Sequence, residues 1–134
     1  MAKGYDTDRE RKELVSSFGK DLARRAKSKC ELSGEAGVSL VIYELEPVKS
    51  IPNFDQCIFI SEASREQIQN PKRLIPNQWR VLGEQIWSEL LPVQIIAVRI
   101  LAHIAKTEHW AQEILDNAYL DDNLVNTAQN HPLL

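Results

Sequence analysis

The chain has 134 residues, 43% of them hydrophobic and 26% charged, with a formal net charge of −3. That balance describes one globular domain and argues against a low-complexity chain. No apolar run approaches the ~20 residues that a bilayer crossing needs, and two cysteines, Cys30 and Cys57, make no disulfide framework.

A chain of this length buries about two-thirds of its unfolded surface, so its core does not require a metal or a disulfide. The charged opening MAKGYDTDRERKE lacks the pattern of a secretory signal. The expectation is a cytoplasmic protein with reduced thiols and no membrane contact. The charge is uneven: residues 1–30 carry nine Lys or Arg and five Asp or Glu, and the remainder carries seven and fourteen. A basic end on an acidic body is one route to nucleic acid. The plainer reading is a solvated helix whose charges partly pair with the body.

In chain order, residues 1–7 are expected to be a loose leader. Thr7 and Glu10 have the spacing of a capping box and open a helix over 8–29, with Leu14, Val15, Phe18 and Leu22 as its apolar stripe. Arg24, Arg25, Lys27 and Lys29 crowd its C-terminal end, where the helix dipole favours cations. Residues 30–34 read as a tight turn. Val38–Leu45 reads as a strand, and Pro47, Pro52 and Asn53 mark a loop. Gln56–Ile60 reads as a second strand, and Ser61–Ile68 as a short helix capped by Ser61 or Ser64.

Pro71 and Pro76 fence a linker, after which a helical bundle is expected over 77–129. Trp79, Leu82, Ile86, Trp87 and Leu90 fall on one helical face. Pro92 suits the first turn of a helix whose body, Val93–Ile104, is apolar nearly all round and therefore central. Thr107 is the expected cap of a helix carrying Trp110, Ile114, Leu115 and Tyr119, and Asp121 that of a last short one. The tail at 129–132 is expected to fray. The fold class is accordingly α+β: an N-terminal helix, a small β-hairpin within residues 30–70, and a C-terminal helical bundle.

The informative segment joins Cys30-x-x-Ser33-Gly34, a strand with Tyr43-Glu44-Leu45-Glu46-Pro47, and a second strand leading into Ser61-x-x-Ser64 at a helix start. With cysteine at Ser33, Ser61 and Ser64 the layout is that of a zinc site with one pair on a knuckle and one at a helix N-terminus. In this the chain resembles the PhnA-type family of bacterial proteins, named after an alkylphosphonate-utilisation operon. Asn77-Gln78-Trp79-Arg80, Ile86-Trp87-Ser88 with Pro92-Val93-Gln94, and Trp110-Ala111-Gln112 with Leu115 and Tyr119-Leu120 resemble that family's helical portion. The likeness extends over roughly residues 22–128.

The resemblance implies a zinc-ribbon or treble-clef-like hairpin and assigns the ligand positions to Cys30, Ser33, Ser61 and Ser64. A serine hydroxyl does not present an anion to Zn²⁺ at neutral pH, whereas thiolate ligation supplies the affinity of a structural site, about 10–16 kcal/mol in small fingers. One thiol and three alcohols retain almost none of it. The expectation is therefore a degenerate site with no metal and no cofactor, its knuckles held by hydroxyl-to-backbone hydrogen bonds. Cys57, four residues before Ser61, is off register as a replacement ligand. Ser61 and Ser64 as ordinary caps, and Ser33-Gly34 as an ordinary turn, is the plainer alternative, and it too expects no metal.

The same layout is similar to that of HNH endonucleases, which place a histidine pair where Tyr43-Glu44 stands. General-base chemistry on water needs that histidine and a metal ligand nearby, and Arg65 occupies the place of the closing histidine. His103 is expected at the edge of the core with a satisfied ring, His109 at a helix start, and His131 in the tail; their spacing matches no metal motif. No catalytic residues are assigned.

The leading expectation is a non-catalytic, metal-free domain that binds a protein partner or supports a regulatory complex. Nucleic-acid binding through Arg24, Arg25, Lys27 and Lys29 is the first alternative, and an enzyme linked to phosphonate metabolism the second. Trp79, Trp87 and Trp110, beside very apolar helices, leave room for a homodimer interface.

Overall fold

β-Branched and aromatic residues dominate the two strands of an antiparallel hairpin, β1 (Leu40–Glu44) and β2 (Cys57–Ser61), paired in register from Leu40 opposite Ser61 to Glu44 opposite Cys57. A computed structural model describes the backbone of residues 2–133 and the side chains of residues 8–133. Before the hairpin come α1 (Ala2–Ser17) and α2 (Gly19–Ala26). After it come α3 (Glu62–Gln69), two 3₁₀ turns at Pro71–Arg73 and Pro76–Trp79, the single-turn α4 (Leu82–Gln85), α5 (Leu91–Ile104), α6 (His109–Asn117) and α7 (Asp122–Asn130). The α+β class expected from the sequence is the one observed.

The core is continuous across hairpin and helices. Leu32, Ile58 and Ile60 lie in the same buried cluster as Leu82, Ile86, Ile96, Ile100, Leu101 and Ile104. Helix α5 is its axis: Val93, Ile95–Leu101 and Ile104 are all buried, and α5 packs against α4, α6, α7 and β2. Full burial of such side chains stabilises by about 1.5–3 kcal/mol each, so α5 is a large contributor to the apolar core.

Several local expectations need correction. Of the expected leader, residue 1 lies outside the described residues and residues 2–7 belong to α1, which puts Thr7 inside the helix rather than at its cap. The single helix expected over 8–29 is two. Phe18 seats edge-on against Phe54, with ring centroids 5.6 Å apart, and Gly19, a poor helix former, lies close to Ile42. Leu22 is fully buried but Leu14 is exposed, so the stripe faces the core only in α2. Helix α2 stops at Ala26 because Lys27 and Ser28 both take left-handed backbone conformations, with the Ser28 amide donating to Ala23 O.

Glu108, not Thr107, precedes α6; the Thr107 hydroxyl donates back to Ile104 O at 3.4 Å. The tail does not fray at 129–132: α7 runs to Asn130 and Leu133 is buried beyond it. The face expected from Trp79 to Leu90 is broken by α4's short length. Trp79, Leu82 and Ile86 are buried, but Trp87 is exposed.

Candidate functional site

The turn after α2 carries Cys30 back under the hairpin. Cys30 N donates to Glu35 O at 2.9 Å, and Gly34 N to Cys30 O at 2.8 Å. Gly34 closes this loop with a φ of 78°, a conformation that costs glycine little and most side chains a great deal. The amide of Ser33 donates to Cys30 Sγ at 3.3 Å, and Ser33 Oγ accepts from the Glu35 amide at 3.3 Å.

From the other side, β2 delivers Ser61 to the start of α3. Ser61 caps that helix: its Oγ accepts from Ser64 N at 3.1 Å and donates to Ser64 Oγ at 2.9 Å. Ser64 Oγ lies 3.8 Å from Cys30 Sγ, close enough for a weak S–H or O–H hydrogen bond. The structure thus brings Cys30, Ser33, Ser61 and Ser64 together, with Cys30, Ser61 and Ser64 buried. Burial pushes the Cys30 thiol up. The Ser33 hydroxyl and the amides of Ser33, Ser61 and Leu32 outweigh it, and the net shift is down.

The donor set does not fit a zinc ion. It supplies one thiol and three hydroxyls, and thiolate charge is what holds a structural zinc. Among the described residues, no three of His, Cys, Asp and Glu converge as a metal-ion site. Cys57 stands at the far end of β2, four residues or ~13 Å of strand from Ser61, with its Sγ donating to Asn53 O at 3.5 Å.

The expected phosphate contacts divide. Arg25 is a structural residue: it pairs with the almost fully buried Glu31 carboxylate through bonds of 2.9 and 2.7 Å, donates to Cys57 O at 3.0 Å, and lies over the Phe54 ring. Glu31 in turn accepts from the Phe59 amide at 2.8 Å, so this pair clamps the knuckle onto β2. Arg24 is exposed beside Asp21, and Lys27 and Lys29 face solvent. Of the four expected contacts, those three remain at the surface.

The histidines behave variously. His103 is half-buried with its Nδ1 lacking a hydrogen-bond partner among the described residues, contrary to the satisfied ring expected. His109 is exposed and 3.2 Å from Glu113. Arg65 contacts Glu62 at 3.5 Å. Trp79 is buried with Nε1 donating to Gln67 Oε1 at 2.8 Å.

Sequence reasoning passed over three polar anchors. Arg11 forks onto Glu44 at 2.8 and 2.6 Å and also reaches Lys49 O. Tyr43 donates to the Glu46 carboxylate at 3.0 Å. Arg99, with a fully buried side chain, donates to Glu46 O, Thr127 O and Ala128 O. A signal for the last was present, since a lone arginine inside VQIIAVRILAHI needs buried acceptors.

No family model, no curated protein and no solved structure matches the chain.

Proposed function

We propose that the chain is a metal-free, non-catalytic interaction domain: a degenerate zinc-ribbon hairpin, similar to that of the PhnA-type proteins, docked on a helical bundle. The observation that carries this reading is the convergence of Cys30, Ser33, Ser61 and Ser64 into one hydrogen-bonded cluster. Two segments about thirty residues apart meet where a four-ligand site would lie; hydroxyl–amide bonds shape each segment and the Cys30 thiol meets the Ser64 hydroxyl between them. The groups that would polarise water or carry a reaction are replaced by groups suited to shape, and the hairpin shares one apolar core with the helices.

Elemental analysis of untagged protein tests the metal-free part: zinc well below one per chain is expected, and stoichiometric zinc overturns it. The ribbon part is tested by the variant S33C/S61C/S64C. Four thiols on this geometry are expected to take up one zinc per chain and raise the thermal midpoint. A triple variant that folds with the parent circular-dichroism spectrum yet binds no zinc sinks the resemblance.

A further inference from the structure

Burying a tryptophan is among the larger single gains open to a folding chain, yet Trp87 leaves 55% of its surface in solvent, beside Leu91 at 55% and Tyr119 at 94%. The Trp87 and Tyr119 rings touch, with centroids 6.3 Å apart. Each ring borders a concavity. One, of about 330 Å³, is lined by Arg80, Gly83, Trp87, Trp110 and Ile114 among others. The second, of about 440 Å³, lies between the start of α5 and α7, with Leu91, Ile95, Tyr119, Leu120 and Leu124 in its wall. The ring contact stands between the two concavities, which together with it make an aromatic groove along α4, α5, α6 and α7.

The charge along the elements that flank the groove is mostly negative, with Arg80 the cation in its lining. Residues 84–122 hold seven Asp or Glu against two Lys or Arg, and of those two Arg99 is buried. Glu84, Glu89, Glu113, Asp116, Asp121 and Asp122 are all exposed, and Glu113 and Asp121 line the two concavities themselves. Arg80 itself is laid over the Trp110 ring at 4.5 Å.

We propose that this groove docks a basic amphipathic helix of a protein partner. Exposed aromatic anchors beside the apolar wall of Leu91, Ile95, Leu120 and Leu124 suit the nonpolar face of such a helix, and the acidic residues that flank them suit lysine and arginine on its sides. The same acidic residues repel nucleic-acid phosphates and anionic lipid headgroups, which sets this face apart from the basic α2 end. The proposal deepens the interaction-domain reading and rests on it.

The test uses the full chain, with zinc measured in the same preparation. The probe is a fluorescein-labelled synthetic amphipathic peptide of leucine and lysine, and the control is its leucine–glutamate counterpart. The lysine peptide is expected to bind with an affinity that falls as salt rises, and the glutamate peptide not to bind. Trp87→Ala and Tyr119→Ala, at exposed positions, are expected to keep the fold by circular dichroism and to weaken binding about tenfold or more, the loss typical of an aromatic anchor. Equal binding of both peptides, or unchanged affinity in both variants, overturns the proposal. So does a homodimer in sedimentation that Trp87→Ala abolishes, which makes a second copy the occupant, or flotation with phosphatidylserine vesicles that the same change abolishes. A zinc-free protein that ignores the lysine peptide sinks the groove alone; stoichiometric zinc sinks the metal-free reading and leaves the binding result standing.

Discussion

Cys30 and Cys57 show how two thiols of one small protein are tuned in opposite directions. Cys30 sits among amide and hydroxyl donors and is shifted down despite its burial. Cys57 is pushed up from the ordinary 9.0 to about 11, first by burial and then by the Glu44 charge, with Arg25 and Arg11 opposing. A thiol whose pKa is higher in the fold favours the folded state while it is protonated. That stabilisation is whole below pH 9 and is lost as the pH rises towards 11. It amounts to at most about 3 kcal/mol. Tyr43, raised by burial and then by the Glu46 charge, acts with the same sign at higher pH, and Cys30 with the opposite sign. The urea midpoint is expected to fall between pH 9 and 11, and Cys57→Val to flatten that fall; an unchanged slope in the variant refutes the assignment. Ser61 as a helix cap is legible from its place before α3. The direction of the Cys30 shift is not, because its donors arrive from two elements that only folding brings together.

Arg99 is where one residue ties three elements. From the middle of α5 it donates to Glu46 O at 2.8 Å after β1, and to Thr127 O and Ala128 O near the end of α7. Its Nη1 lies 3.6 Å from the half-exposed Glu46 carboxylate and makes no hydrogen bond among the described residues. Burial lowers its pKa, while Glu46 and Tyr43 work against that. Leaving a buried acceptor without its donor costs about 1–3 kcal/mol, so Arg99→Met, which strips its donors from three carbonyls, is expected to lose about that much or more in denaturant unfolding. Arg99→Lys is not expected to recover it, because an ammonium lacks the planar fork that reaches three carbonyls. Glu46→Gln is expected to cost about 1 kcal/mol or less, as for exposed pairs. A fully stable Arg99→Met refutes the role of Arg99 in tying the three elements. Among the elements themselves, α5 and α3 were legible because a long apolar run and a serine cap are local signals. The division of the first helix at Phe18 was not, since Phe54, which seats that ring, lies 36 residues away in sequence.

Across the whole molecule, packing is expected to grade protection from α5 outwards. Helix α5 is enclosed by α4, α6, α7 and β2. Among the described residues, Arg11 ties helix α1 to the hairpin through Glu44 and the Lys49 carbonyl. Local opening follows buried apolar contact, so in native-state hydrogen exchange the α5 amides are expected to exchange slowest, near the global unfolding limit, and those of α1 fastest. Equal protection in the two helices contradicts this ranking. The four-residue cluster at Cys30 lies between these extremes, clamped by Arg25 and Glu31 on one side and capped by Ser61 on the other.

The sequence by itself determined the α+β class, the hairpin and the central position of the apolar helix, because hydropathic period and turn residues are properties of nearby positions; the residues at the Cys30 cluster were singled out by a family resemblance. The sequence also settled the donor chemistry there, since a hydroxyl remains a hydroxyl in any fold. Only the tertiary structure decided that Cys30, Ser33, Ser61 and Ser64 meet, that Arg25 is occupied, that Arg99 joins three elements, and that Trp87 stays outside the core. Each of those depends on groups tens of residues apart competing for the same space, and which contact wins is set by packing rather than by local pattern.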